Sequence, residues 1–272
     1  MNRSLERYVK SGYRRVEGWL LPGAVQMIIA CAGVQTARGV KGHVAEIGVH
    51  HGKFFILLYL LKAAGEKAVA VDLFGEQEKN IDGSGEGNLA KLNENLQKHA
   101  GNNDVIICAG DSAKITGNSL IEAAGGKFRF VSIDGGHTAA ITAHDLATAE
   151  TALAPGGIVI LDDYFNEMWP EVSVGTTNYF SAPRGIAPFA IGANKVLFCH
   201  SDYAHAYSEA VKLNCPAYVE RNFLGARVVC AEFAKPALAV RIGRQGWWKL
   251  LRETPPGRML RALYKLVSPR LP

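Results

Sequence analysis

Residues 130–137 read FVSIDGGH, an apolar run that stops on an acid, two glycines and a histidine. A second apolar run at residues 157–164, GIVILDDY, stops on two adjacent acids. Runs that are apolar at successive positions are typical of strands covered on both faces of a parallel sheet. Ligands of such sheets bind beyond the carboxyl ends of the strands. The two strand ends therefore predict both a type of fold and the edge of the sheet where a site would lie.

Similar β-rich runs recur through the middle of the chain and alternate with helix-like segments that end in Gly or Pro-Gly-Gly. The predicted strands are residues 43–49, 67–74, 104–110, 127–134 and 156–163. Alternation of this kind is typical of βαβ units. It predicts an α/β fold with a doubly wound, mostly parallel, Rossmann-like sheet of about seven strands.

The pattern changes near residues 188–201, where two β-rich halves flank the sequence Gly-Ala-Asn. This arrangement predicts an antiparallel hairpin at one edge of the sheet. A helix near residues 203–213 and a last strand near residues 226–233 complete the predicted fold.

The composition is that of an ordinary globular protein, with 48% hydrophobic and 20% charged residues in 272. No run approaches the roughly 20 apolar residues that cross a bilayer, and the first residues lack the apolar segment of a signal peptide. We therefore expect a cytoplasmic protein. The five cysteines are scattered and form no CxxC pair, which favours free thiols over a zinc site.

We predict a helical extension over residues 1–40, a main domain over residues 41–235 and a basic amphipathic tail over residues 236–272. Residues 241–272 contain eight Lys or Arg against Glu253 alone, so the tail carries +7 and the rest of the +5 chain about −2. The tail suits either the inner face of an anionic membrane or docking on a partner subunit or on this domain. Nucleic acid is disfavoured because no base-stacking module accompanies the charge. A homo-oligomer stays open.

The first predicted strand runs into EIGVHHG, residues 46–52, a turn with glycines at 48 and 52. A dinucleotide fingerprint, G-x-G-x-x-G, would need glycine where Glu46 stands. A carboxylate there would repel a pyrophosphate, which disfavours a nicotinamide-dependent dehydrogenase. The turn suits a neutral or cationic ligand better.

Two further polar groups follow the next predicted strands. Asp72 ends the second strand, where an acid can accept hydrogen bonds from ribose hydroxyls. Asp111 and Ser112 follow Gly110 after the third strand, a small polar patch that suits an adenine edge. Each of these acids by itself is also compatible with a solvated turn.

In order and spacing, these motifs resemble the class I S-adenosylmethionine-dependent methyltransferases over roughly residues 40–200. The resemblance implies that Gly48 and Gly52 line the amino-acid end of the cofactor and that Glu46 supports the turn. It also implies that Asp72 holds the ribose. The remaining pair, Asp111 and Ser112, would flank the adenine.

Three acids end the fourth and fifth predicted strands: Asp134, Asp162 and Asp163. Neighbouring strands lie about 4.8 Å apart, so carboxylates at equivalent heights can converge on one ion. Carboxylates without cysteine suit Mg²⁺ or Mn²⁺ rather than zinc. Because three such acids would repel one another, their proximity favours a bound cation. The alternative is that Asp134 caps the following helix and that the other two face solvent.

The sequence DGGH, residues 134–137, followed by a helix and PGGIVILDDY, resembles the metal-dependent sugar O-methyltransferases of the macrocin and mycinamicin type. This narrower resemblance implies that Asp134, Asp162 and Asp163 bind Mg²⁺ or Mn²⁺ and that His137 is the general base. Catalysis would then depend on His137 and Asp134, and the acceptor would be a hydroxyl of a sugar or a glycosylated small molecule.

Other polar residues near these motifs are less distinctive. We expect His50 and His51 to line the cofactor turn sterically, and Asn194 and Lys195 to complete the hairpin turn. A second class of function also stays open, a non-catalytic protein that keeps the fold and docks on a membrane or a partner through its tail.

Overall fold

The computed structural model describes residues 3–101 and 104–233. In these residues nine strands form one sheet in the order β3-β2-β1-β4-β5-β7-β6-β9-β8. The strands are β1 His43–Ile47, β2 Ala68–Asp72, β3 Ile106–Ala109, β4 Phe128–Ile133, β5 Leu153–Asp162, β6 Ala187–Gly192, β7 Lys195–Cys199, β8 Ala217–Phe223 and β9 Ala226–Glu232. The first five strands pair in parallel, which confirms the predicted class of fold.

Helices cover both faces of this sheet. They are α1 Arg3–Lys10, α2 Pro22–Ala37, α3 Phe55–Leu61, α4 Leu89–Ala100, α5 Gly117–Ala124, α6 Ala139–Ala152, α7 Pro170–Tyr179 and α8 Ser201–Asn214. Successive residues of β4 face opposite cores: Phe130 packs with α1 to α4 and α8, and Val131 packs with α5 to α7. Burial on both faces explains why the strands are continuously apolar.

The predicted hairpin is present, but it does not form the edge of the sheet. Strands β6 and β7 pair antiparallel, and β9 then adds to β6 in parallel through Ala190 and Val229. The edge is a second antiparallel hairpin, β8–β9, so the sheet has two more strands than the seven expected. Strand β8 reads AYVERNF and is largely exposed, so it lacks the apolar signal that identified the other strands.

The N-terminal helices are built into the core. Tyr8 of α1 is buried and its hydroxyl donates to the carbonyl of Lys53 at 2.6 Å. Gln35 of α2 is also buried, and its amide donates to the carbonyl of Arg129 at 2.8 Å. The predicted boundaries of the extension and domain stay predictions, and the basic tail lies outside the described residues. No described helix is long and apolar enough to cross a membrane.

The strand order reverses between β1 and β4, which is where open α/β sheets bind ligands. Gly48, directly after β1, has φ +83°, and a Cβ there would collide with the carbonyl of Asp134 beyond β4. Its amide donates to the carbonyl of Val71 at 2.8 Å. Glycine is therefore required here for the two strand ends to meet.

Candidate active site

A cavity of about 940 Å³ opens at the carboxyl ends of β1, β2, β4 and β5. Its walls come from three loops, which precede α2, join β2 to α4 and join β5 to α7. Eight of the ten predicted site residues line it: Gly48, Asp72, Asp111, Ser112, Asp134, His137, Asp162 and Asp163. The other two, Glu46 and Gly52, lie outside its lining.

These two residues serve the packing around the cavity. Gly52 has φ +87°, and a Cβ there would press on Leu92 of α4. Glu46 is 2% exposed within β1, and its Oε2 has no hydrogen-bond partner in the described part of the chain. Burial raises the pKa of Glu46 well above its usual value, against the opposing effect of Lys195.

Asp72 is hydrogen-bonded to the turn that follows β1. Its Oδ2 accepts hydrogen bonds from the amides of Val49 at 2.7 Å and His50 at 2.8 Å. Its Oδ1 accepts one from the amide of Phe74 at 2.8 Å. Asp72 thus holds the turn in shape, and its contact with a ribose stays a prediction.

The polar pair after β3 is similarly engaged. Asp111 accepts a hydrogen bond from the amide of Ala113 at 2.9 Å and caps a short 3₁₀ turn. The hydroxyl of Ser112 donates to Asp145 of α6 at 3.1 Å. Asp145 is fully buried, and burial raises its pKa to about 7. Sequence reasoning missed Asp145 because nothing in the pattern of α6 distinguishes an inward acid.

The acids beyond β4 and β5 converge in part as predicted. Asp134, His137 and Asp163 each offer a ligand atom, and the three atoms lie within 4.8 Å of one another. Burial raises the pKa of Asp134 well above its ordinary value, and the neighbouring Asp162 raises it further. Such a carboxyl is unfavourable when ionised and uncompensated, so this group fits a bound cation.

Asp162 lies beside this cluster and is held by Lys195. The two form a buried ion pair, with Lys195 only 3% exposed, and Asn194 donates to Asp162 at 3.0 Å. Burial alone would lower the pKa of Lys195, but Asp162 and Asp134 outweigh it and raise the pKa. Ala193 and Asn194 do make the hairpin turn, with φ 50° and 68°. Lys195, however, supplies a positive charge that we did not foresee, so repulsion among the acids is a weaker reason to expect a metal.

His137 lies between two carboxylates. Its Nδ1 is 3.0 Å from Asp82, which also accepts from the His137 amide at 2.6 Å, and its Nε2 is 3.3 Å from Asp163. Its ring stacks on Trp169 with centroids 4.3 Å apart. Burial would lower the pKa of His137, but the hydrogen bonds to Asp163 and Asp82 outweigh it and raise the pKa. Asp82 was missed because it lies in a polar loop without periodicity.

Of the two histidines of the turn, His50 lines the cavity and His51 does not. His50 lines the cavity and its ring stacks on His51 with centroids 3.7 Å apart. His51 is buried and its Nδ1 lies 3.1 Å from Glu17. Neither belongs to the cluster of ligand atoms formed by Asp134, His137 and Asp163.

Residues 45–164 match the model of a family described as a methyltransferase domain. The match runs from β1 to just beyond β5 and includes every predicted site residue. Residues 45–164 therefore form a methyltransferase domain, and the sheet has the fold of the class I S-adenosylmethionine-dependent methyltransferases. None of the curated proteins matches the chain as a whole or in part.

Solved structures agree on the fold. The O-methyltransferase NovP is 17% identical with a TM-score of 0.51, over 65% of this chain and 80% of its own. Cofactor-bound Rv0187 from MTB is 16% identical with a TM-score of 0.51, over 74% of this chain and 90% of its own. The TDP-rhamnose 3'-O-methyltransferase CalS11 is 17% identical with a TM-score of 0.49, over 73% and 94%. Nothing in these comparisons supports a non-catalytic scaffold.

Proposed function

We propose that this protein is a metal-dependent O-methyltransferase that acts on a hydroxyl of a sugar or a glycosylated small molecule. The observation that carries the proposal is the convergence of Asp134, His137 and Asp163 in the cavity that begins at the Gly48 turn. The sugar class rests on the resemblance of DGGH and PGGIVILDDY to the macrocin and mycinamicin type.

The cavity fits S-adenosylmethionine on the side of β1 to β3. Gly48 has no side chain to fill the space beside β4, and Asp72, Asp111 and Ser112 border the same cavity. In this proposal they border the amino-acid, ribose and adenine parts of the cofactor in that order. The cofactor, when bound, supplies an electrophilic methyl group, and the protein has mainly to orient the acceptor hydroxyl toward it.

The cluster fits a divalent cation. Asp134 and Asp163 offer carboxylate oxygens, and oxygen donors suit Mn²⁺ as well as Mg²⁺. Asp162 stays in the proposal as a third carboxylate, held by Lys195 at the edge of the cluster. A bound cation would lower the pKa of an acceptor hydroxyl.

His137 is the proposed base. Asp82 engages Nδ1, which leaves Nε2, next to Asp163, to accept a proton from the acceptor. Because one nitrogen cannot both accept this proton and ligate the cation, the proposal gives the cation to the carboxylates and the proton to Nε2. Asp82 and the stacked ring of Trp169 fix the imidazole in that role.

The proposal is tested with purified protein, S-adenosylmethionine, Mn²⁺ and a panel of glycosides, with S-adenosylhomocysteine as the measured product. We expect turnover that a chelator abolishes and that added Mn²⁺ restores. Calorimetry should show about one S-adenosylhomocysteine per chain. Undetectable binding of S-adenosylhomocysteine would overturn the methyltransferase assignment, and turnover insensitive to chelator would overturn the metal.

A further inference from the structure

The first helix carries a stripe of positive charge on its outer side. Arg3, Arg7 and Lys10 of α1 are spaced i, i+4 and i+7, so they lie on one side of the helix, and all three are exposed. The opposite side is buried through Leu5 and Tyr8. In the part of the chain that the structure describes, none of the three cations forms an ion pair. These three residues, here called the basic stripe, are therefore open to an external anion.

This positive charge contrasts with a negatively charged body. Residues 3–15 contain five Lys or Arg against Glu6 alone, a net charge of +4. Residues 16–233 contain 16 Lys or Arg and 23 Asp or Glu, a net charge of −7. A local excess of positive charge on a negative body marks the surface that a negatively charged partner would approach.

The positive region continues onto α4. Burial lowers the pKa of His99, and the nearby charges of Lys98 and Arg15 lower it further. Both Lys98 and Arg15 are exposed. Glu17 interrupts the region in sequence, but its carboxylate is paired with Lys91 at 3.2 Å. The surface around the basic stripe therefore keeps its positive charge.

Exposed apolar side chains lie next to this region. Trp19 is 80% exposed and Leu21 is 48% exposed. The segment that carries them and α1 are both held by Lys53. The hydroxyl of Tyr8 donates to the Lys53 carbonyl at 2.6 Å, and the Lys53 Nζ donates to the carbonyl of Gly18 at 2.6 Å. Cationic and large apolar side chains thus meet on neighbouring parts of one surface.

We propose that this surface, the basic stripe with Trp19 and Leu21, docks on an anionic lipid bilayer. Cations near a bilayer are attracted by anionic headgroups, and Trp favours the boundary between headgroups and acyl chains. Nucleic acid would engage the cations through its phosphates but would offer no apolar layer to Leu21. The inference goes beyond the proposed function and does not depend on methyl transfer.

Vesicle sedimentation with full-length protein tests the charges. We expect binding to vesicles of equal parts phosphatidylglycerol and phosphatidylcholine, and binding at least about tenfold weaker to phosphatidylcholine alone. The triple variant Arg3→Gln, Arg7→Gln and Lys10→Gln should bind the anionic vesicles at least about tenfold more weakly than the wild type. Its thermal midpoint should match that of the wild type, because all three side chains are exposed.

A second triple variant, Lys41→Gln, Lys67→Gln and Lys127→Gln, is the matched control. It removes the same charge from exposed lysines that precede β1, β2 and β4, at the amino ends of the strands. Trp19 lines the cavity at the opposite, carboxyl ends. Since charges more than about 10 Å away are screened at 0.1 M salt, the control should lose about threefold or less. Residues 241–272 are unchanged in both variants, so any contribution of the tail cancels.

Trp19→Ala tests the apolar part of the surface. It should weaken binding to the anionic vesicles about fivefold, because the indole no longer leaves water for the bilayer. Leu213→Ala is its control and should bind as the wild type does. Leu213 is 83% exposed near the end of α8, outside the proposed surface.

Four results would overturn the proposal. They are no binding of the wild-type protein to the anionic vesicles, equal losses in the two triple variants, equal binding by Trp19→Ala and Leu213→Ala, and single-stranded RNA bound more tightly than vesicles. The last result would assign the basic stripe to nucleic acid. None of these measurements involves S-adenosylhomocysteine, so their failure would leave the proposed methyl transfer untouched.

Discussion

The two halves of the cavity use their acids differently. Around β1 to β3, Asp72 and Asp111 accept hydrogen bonds from nearby backbone amides and hold their own loops in shape. Beyond β4 and β5, Asp134 and Asp163 lie with His137 in a cluster whose ligand atoms are within 4.8 Å. The first half is organised for stability and the second concentrates charge at a cost in stability. Changes in the first should therefore act mainly on folding, and changes in the second mainly on turnover.

The largest expected effect is on turnover in the second half. Asp134→Asn keeps the shape of the side chain and removes a carboxyl whose ionised form burial disfavours, so the thermal midpoint should hold or rise while metal-dependent turnover falls about 10³-fold or more. The measurement is product formation with Mn²⁺, beside thermal unfolding. Asp202→Asn, at an exposed position of α8, is the control. If the two variants have equal turnover, Asp134 is not part of the active site.

The next effect is on stability in the first half. Gly48→Ala should cost about 4 kcal/mol of unfolding free energy, because the new Cβ meets the Asp134 carbonyl and φ is +83°. Gly39→Ala is the matched control, since Gly39 has φ +66° with nothing within 4 Å of the added Cβ. It should cost about 1 kcal/mol. If urea unfolding gives a similar loss of unfolding free energy in both variants, the contact between the ends of β1 and β4 is not the reason that Gly48 must be glycine.

Asp145 predicts a dependence of stability on pH. Its pKa is raised to about 7 in the folded protein, mainly by burial, with Asp111 raising it and His144 opposing. Between about pH 4 and 7 the folded state holds a proton that the unfolded state has lost, so stability falls as pH rises. Asp145→Asn should remove this part of the slope, about 4 kcal/mol at most. Urea unfolding at several pH values measures it, and an unchanged slope in the variant would exclude Asp145 as its source.

The smallest predicted effect concerns the orientation of His137. Asp82→Asn should lower kcat about tenfold with little change in KM, because the imidazole loses its charged partner at Nδ1. Glu78→Gln, exposed on the same loop, is the control and should leave both constants unchanged. A rise in KM with an unchanged kcat would indicate that Asp82 binds the acceptor instead.

The sequence predicted the sheet, the edge of the sheet where the site lies and eight residues of the cavity because strand ends carry a local signal. An apolar run that stops on Asp134 or on Asp162 and Asp163 is visible without a structure. The sequence could not predict that Lys195, at the start of β7, would form an ion pair with Asp162. That contact depends on the pairing of β5 with β7, which is a long-range property of the fold.

The same limit explains the other surprises. Asp82 reaches His137 across 55 residues from a loop without periodicity. Asp145 contacts Ser112 from α6, and the sequence of that helix gives no signal that this acid faces inward. Strand β8 is polar and exposed, so the hairpin that forms the edge was not recognised.

The most direct test of the account is Mn²⁺ binding, followed by electron paramagnetic resonance, in protein saturated with S-adenosylhomocysteine. We predict about one Mn²⁺ per chain in the wild-type protein and loss of that binding in Asp134→Asn, with S-adenosylhomocysteine binding retained in both. Equal Mn²⁺ binding in the two proteins, or none in the wild type, would contradict the assignment of Asp134, with Asp162 and Asp163, as a metal site.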